Sequence, residues 1–187
     1  MNNMQAWSTP ILSGLIDNKI SNKTLDTIFQ NYDLDNLPTD LNGGNLFNDK
    51  EFNLFKTTVV EPAFDQWLVQ NLDRSLSSFK NIKLKSWLGG PRQGYYMINH
   101  NHSGAQLSAV FYLLNDNINA GGEIVFHDPR TNANRGYNSD VWGCLFEPMR
   151  LKPESNTFFV FPSFLYHQVT EFTGKLRIAI PVDLYVN

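Results

Sequence analysis

The chain has 187 residues, 42% of them hydrophobic and 13% aromatic, with a formal net charge of −3 and a single cysteine, Cys144. That size and apolar content suit one folded domain with a sizeable core and exclude a disordered chain. The near-balanced charge gives no footprint for nucleic acid or an anionic membrane, and one cysteine excludes an internal disulfide or a zinc site built from cysteines.

The N-terminal stretch "MNNMQAWSTPILSGLIDNKI" lacks a basic segment followed by a long apolar run, so no signal peptide is expected. No segment approaches the ~18 consecutive apolar residues of a membrane-crossing helix. Together with the lone cysteine, this suits a reducing, cytoplasmic location. Up to about residue 80 the signals are helical. "ISNKTLDTIFQN" spaces Leu25, Ile28 and Phe29 at helical intervals, with Ser21 or Asn22 as caps. A longer run from Lys50 to Phe79 brings Phe52, Phe55, Val59, Phe64, Trp67, Leu68, Leu72 and Leu76 onto roughly one face, and Pro62 should kink or split it. The stretch "LDNLPTDLNGGNLFND" between them reads as a loop.

Beyond residue 80 the pattern changes to short strands, expected near 82–88, 94–100, 106–114, 122–127, 157–161, 165–172 and 176–185. "LSAVFYLL", "GEIVF", "TFFVF" and "LRIAIPV" are rich in β-branched and aromatic residues and too short for helices. "NDNINAGG", "DPRTNANRGYNSD", "KPESN" and "FTGK" mark the turns. Many short, evenly spaced strands imply a sandwich or jelly roll. The polar segment Asp128–Asp140 is long enough to serve as an active-site lid or as a plain surface loop.

Chemistry concentrates in "YYMINHNHSGAQ". Side chains alternate along a strand, so His100 and His102 would point the same way, with Cα atoms roughly 6.5 Å apart. Imidazoles at that separation can converge on one metal ion. A third histidine, His167, lies on a late strand, and Arg177 follows ten residues on, across the Gly-containing turn "FTGK". A hairpin there would return Arg177 towards His167. Non-haem iron(II) sites use few protein ligands and leave positions open for an organic acid and O₂. An arginine fork matches a carboxylate, so a dicarboxylate could chelate the metal at one end and dock on Arg177 at the other. Each piece alone has a blander reading, as surface histidines, a core histidine and a salt-bridged arginine; the ordered set on strand-like segments is what points to a metal.

The ordered segments "GYYMINHNH", "LSAVFYLLND", "GGEIVFHDPR" and "FFVFPSFLYHQVTEFTGKLRIAI" resemble the iron(II)/2-oxoglutarate-dependent oxygenases of the prolyl-hydroxylase-like group, nearest to a branch of such oxygenases in phages and bacteria. The resemblance covers about residues 80 to 187. It implies that His100 is the first ligand of the family's H-x-D/E motif, His167 the distal ligand, and Arg177 the residue that binds the far carboxylate of 2-oxoglutarate. Tyr112 would hydrogen-bond that same carboxylate, and Gly121–Glu123 would form the turn into the next strand. His102 departs from the family pattern, which has Asp or Glu there. A three-histidine site would leave the metal one unit more positive and favour anionic co-ligands. If His102 were not a ligand, Asp128 would be the spare carboxylate. Ala179 replaces a hydroxyl that some members carry two residues after the arginine.

His127, Arg130, Trp87, Trp142 and Cys144 are set aside as, respectively, a pocket-lining residue, a solvated loop arginine, two core tryptophans and a packed thiol. The expected fold is α+β and mainly β: a double-stranded β-helix catalytic core over 81–187 with N-terminal supporting helices over 1–80. The expected activity is that of an Fe(II)- and 2-oxoglutarate-dependent dioxygenase, consuming O₂ and hydroxylating a protein side chain or a small molecule. The alternatives are a cupin-like three-histidine metalloenzyme that does not use 2-oxoglutarate, against which Arg177 and Tyr112 speak, and a non-catalytic, virion-associated binding module. A phage origin would place the protein in the host cytoplasm. The primary substrate and the oligomeric state have no signature in the sequence.

Overall fold

The computed structural model describes residues 8–35, 44–130 and 147–186. Most of the expected lid, with Trp142 and Cys144, lies outside these residues. Among the described residues nine strands form two antiparallel sheets. The larger has the order β1 (Leu12–Leu15), β7 (Thr157–Pro162), β4 (Leu107–Asn115), β9 (Arg177–Val186), β2 (Ile82–Ser86). The smaller has the order β3 (Met97–His100), β8 (His167–Val169), β5 (Ile124–Phe126), β6 (Met149–Leu151). The fold is the expected jelly roll. Strands β1 and β6 had no signal in the sequence: each is short, and each joins a sheet by pairing with one apolar neighbour, β7 and β5 respectively.

The alternation along the central strands explains why the larger sheet is covered on both faces. Phe111 and Leu113 of β4, Phe158 and Val160 of β7, and Ile178, Ile180, Val182 and Leu184 of β9 share one core with Ile28, Phe55, Val60, Phe64 and Trp67 of the helical part. Phe111 is fully buried and meets Phe55 edge-on, ring centroids 5.5 Å apart. Burying each such ring stabilises the fold by about 1.5–3 kcal/mol. The opposite face carries Val110 and Tyr112 of β4, Phe159 and Phe161 of β7, and Ala179 of β9, which pack on Ile124 and Phe126 of β5. The interior between the sheets is therefore lined by residues at even spacing along each strand.

Helix α1 (Asn18–Asn31) begins earlier than the spacing of its apolar residues implies. Asp17 is its cap, its carboxylate accepting from the backbone N–H groups of Lys19 and Ile20. Ser21 is fully buried inside the helix instead of capping it. The long run after residue 50 is split, as Pro62 requires. A one-turn α2 (Asn53–Phe55) passes through a π-helical turn, Lys56–Val60, into α3 (Glu61–Leu72), where Pro62 sits in the first turn. Proline has no N–H to bond back into the preceding turn, and the widened π turn absorbs that gap. Asp73, in the left-handed region at φ 53°, ends α3.

Candidate metal centre

Two neighbouring strands, β3 and β8, and the segment just after β3 deliver the histidines. His167 opens β8, an inner strand of the smaller sheet, and is only 4% exposed. His100 ends β3 and pairs directly with His167 across the sheet. A register shift in β3 between Met97 and His100 lets both residues line the same cavity. His102 lies beyond the end of β3, not on the same strand as His100. Its backbone N–H donates to the carbonyl of Ser163, 3.1 Å away, which returns its ring to the other two. Ring centroids are 5.2 Å apart for His100 and His102, 4.4 Å for His100 and His167, and 5.2 Å for His102 and His167.

The second nitrogen of each ring is fixed by its partner. Nδ1 of His100 lies 2.7 Å from the carbonyl oxygen of Ile98, and Nδ1 of His167 lies 2.9 Å from that of Leu165. Nδ1 of His102 lies 2.8 Å from one oxygen of Asp183 and 2.9 Å from the other. Carbonyls and carboxylates accept, so each Nδ1 carries the proton and each Nε2 keeps its lone pair. The three form a group that could hold a metal ion, with donor atoms all within 4.8 Å of one another. Burial lowers the His167 pKa to about 3 despite its hydrogen bond to Leu165, and burial also lowers that of His100. Neutral imidazole is the form that ligates.

The cavity over the triad has a volume of about 70 Å³ and is walled by Trp87, Tyr95, Met97, Val110, Tyr112 and Phe161 among others. Trp87 is half-buried and stacks on His102, centroids 5.9 Å apart, so it belongs to the site wall and not to the core. Tyr95 and Met97 also line a neighbouring cavity of about 450 Å³ that opens towards Gly90–Tyr96.

Arg177 stands at the start of β9 and is 2% exposed. Strands β8 and β9 belong to different sheets, so the "FTGK" link is a crossover between sheets and not a hairpin. Arg177 thus faces the interior across from the smaller sheet. One guanidinium nitrogen donates to the Gly122 carbonyl at 2.8 Å, while its Nε is buried with no hydrogen-bond partner. Tyr95, Tyr112 and Phe172 surround it, the guanidinium carbon lying 5.5, 5.9 and 5.6 Å from their ring centroids. No acidic side chain among the described residues pairs with it. Ring faces partly compensate a buried cation, and the guanidinium keeps a buried donor, Nε, that a carboxylate could use. Gly122 makes room for it: a Cβ there would come within 2.9 Å of the guanidinium, and its φ of +72° suits glycine. Tyr112 is 1% exposed, and burial pushes its hydroxyl up to about 12, so it is a protonated donor at any physiological pH.

A family model described as "Putative 2OG-Fe(II) oxygenase" matches residues 85–183. The chain belongs to this family. The oxygenase therefore uses iron(II), 2-oxoglutarate and O₂. No curated protein matches the sequence. Its fold is similar to a prolyl-4-hydroxylase of Pseudomonas putida, at 14% identity and a TM-score of 0.61 over 96% of this chain and 89% of that one. It is similar as well to a prolyl hydroxylase of Trichoplax adhaerens, solved with a hypoxia inducible factor peptide fragment, at 14% identity and a TM-score of 0.61 over 94% and 82%. HygX of Streptomyces hygroscopicus, solved with iron bound, aligns at 10% identity and a TM-score of 0.58 over 95% and 82%. At these identities the likeness is one of fold.

The structure of the oxygenase brings together His100, His102, His167, Tyr112 and Arg177. It places Asp128 elsewhere, with its carboxylate accepting from the guanidinium and the backbone N–H of Arg130. His127 lies outside the triad, its Nε2 buried and unpartnered. Tyr95 and Asp183 had gone unnoticed in the sequence. The available signal for Asp183 was parity: it stands six residues after Arg177 in an otherwise apolar strand, hence on the same face.

Proposed function

We propose that His100, His102 and His167 are the iron ligands of this oxygenase, and that Arg177 and Tyr112 receive the far carboxylate of 2-oxoglutarate. The observation that carries this reading is the pairing of three imidazoles, each with Nδ1 tied back and Nε2 free, with a buried arginine that meets no acid among the described residues. Both halves of the site suit their ligands: neutral imidazoles suit a divalent first-row metal, and the guanidinium with its unused donor suits a carboxylate. Iron, when bound, supplies the activation of O₂ coupled to decarboxylation of 2-oxoglutarate. The chain's own residues supply the rest. The three histidines fix the metal through one nitrogen each. Arg177 and Tyr112 orient the co-substrate. Trp87, Met97, Val110 and Phe161 give the cavity apolar walls that exclude water.

In the same reading the reaction is hydroxylation of a C–H bond on a protein side chain or a small molecule, which approaches through the wider cavity beside Tyr95 and Met97. The division into a supporting segment over 1–80 and a catalytic core over 81–187 holds in this reading except at β1, which joins the larger sheet beside β7, while α1, α2 and α3 brace that sheet's outer face. A phage or bacterial origin and a cytoplasmic setting complete the proposal, supported by the H-x-H variant and the single cysteine; among the described residues no helix is long and apolar enough to cross a membrane.

Anaerobic titration with iron(II) and then 2-oxoglutarate tests the core of this proposal. A visible charge-transfer band should grow with the co-substrate and saturate at one equivalent. Iron binding with no band would show that 2-oxoglutarate does not chelate the metal.

A further inference from the structure

The usual ligand set of such sites is two histidines and a carboxylate, and His102 removes the carboxylate from the coordination sphere. The same face of β9 supplies another. Asp183 is 2% exposed, and its two oxygens lie 2.8 and 2.9 Å from Nδ1 of His102. The Ser108 hydroxyl donates to it at 2.7 Å and is itself 2.9 Å from the Ser163 hydroxyl. Ser163 also holds the backbone of His102 through its carbonyl. Asp183 sits directly opposite Ser108 in the β4–β9 register, so the sheet itself sets this geometry. No lysine or arginine among the described residues pairs with Asp183; besides Ser108 and His102, only the Tyr185 hydroxyl reaches it among those residues, at 3.5 Å.

We propose that Asp183 is a positioning residue for the metal: the carboxylate that the site lacks as a ligand has been moved one imidazole ring outward. Resting on the reading of His102 as a ligand, this assigns Asp183 two tasks. It holds His102 in the tautomer whose Nε2 lone pair faces the metal. It also returns the negative charge that a third neutral ligand omits, at one ring's remove. Outer carboxylates of this kind orient histidine ligands and raise their basicity, and losing one typically costs 10–100-fold in metal affinity. A consequence distinguishes this site from an ordinary one with a carboxylate ligand. An acid at position 102 would face Asp183 in a buried space without the imidazole that separates charge from charge. Restoring the commoner ligand set therefore requires removing Asp183 as well.

The test is anaerobic iron(II) affinity, measured by competition with a chromophoric chelator and without 2-oxoglutarate or turnover, on folded proteins whose thermal melting in the absence of metal is recorded alongside. Asp183→Asn should weaken iron(II) by about 10–100-fold in the parent chain and have no further effect in the His102→Ala background. His102→Asp should bind iron(II) poorly, and His102→Asp with Asp183→Asn should bind it more tightly than His102→Asp alone. Should Asp183→Asn fail to fold, the comparison of those last two proteins still decides. Equal affinity of Asp183→Asn and the parent, equal losses in both backgrounds, or no gain in the double variant would overturn the role of Asp183. If His102→Ala itself binds iron(II) like the parent, the ligand reading falls first and this one with it.

Discussion

The inner face of β9 carries a buried charge at each end, and the two are treated in opposite ways. Asp183 is satisfied: a histidine and a serine donate to it within 2.9 Å. Arg177 is left short: one bond to a carbonyl, a buried Nε without a partner, and three aromatic rings in place of an acid. Burying a charge is expensive unless it is paired. A satisfied buried charge therefore belongs to the scaffold, whereas an unsatisfied one marks where a ligand completes the structure. On a single strand, the Asp183 end reads as support for the metal ligands and the Arg177 end as the receptor for the co-substrate.

The largest effect that sharpens this comparison comes from the histidines, which in the proposed reading serve the metal and not the co-substrate. His100→Ala and His167→Ala should each abolish iron binding and turnover together, read by anaerobic titration and by O₂ uptake. Retained iron in either variant would move the centre elsewhere.

Next comes the arginine. Arg177→Met should leave iron binding near parental and weaken 2-oxoglutarate about ten- to a hundredfold, since a charge-assisted contact of roughly 1.5–3 kcal/mol is lost. The same change removes an unpaired buried charge, so chemical denaturation of the ligand-free protein should show stability unchanged or raised by about 1–4 kcal/mol. A large drop in stability would mean that Arg177 is scaffold after all, like Asp183.

A smaller effect is expected at the residue that makes room for the guanidinium. Gly122→Ala puts a methyl group 2.9 Å from it at a φ of +72°. It should cost about 1–3 kcal/mol of stability through the backbone alone and weaken 2-oxoglutarate binding, both measurable by thermal melting with and without the co-substrate. Unchanged co-substrate affinity would detach Gly122 from the anion site.

The gentlest probe is pH. His167 has its pKa lowered by burial to about 3, against 6.5 for the unfolded chain. Below about 6.5 the unfolded state gains a proton that the folded state refuses, so stability of the metal-free protein falls as pH drops through that value towards about 3. The slope from this residue approaches about 1.4 kcal/mol per pH unit, and it vanishes above 6.5. His167→Gln should reduce it, leaving the share that His100 contributes, since burial lowers that pKa too. An unchanged slope would have another origin.

How much of this was legible in advance follows from how local each feature is. The strand runs, the helix spacing of α1, the break at Pro62 and the order His100, His102, His167, Arg177 are properties of short segments, and alternation or ring chemistry exposes them. The family resemblance came from that same order. Other features depend on which strands become neighbours. His102 was expected on one strand with His100, yet it reaches the triad from beyond the strand end because a carbonyl of another turn holds it. The link between His167 and Arg177 looked like a hairpin because its glycine turn permits one; the two sheets divide its arms instead. Asp128 looked like the spare acid should His102 not be a ligand, but the guanidinium of Arg130, two residues away, takes it.

By itself, then, the sequence determined the alternating strands, the helical brace and the identities of the histidines and the arginine, because periodicity and side-chain chemistry act within a few residues. Only the tertiary structure decided that Asp183 stands behind His102, that Tyr95 and Trp87 wall the site, and that Arg177 is buried without an acid among the described residues. Those facts arise from pairing between strands 70 or more residues apart, such as Ser108 opposite Asp183, and no local pattern encodes which distant partner a buried charge will meet.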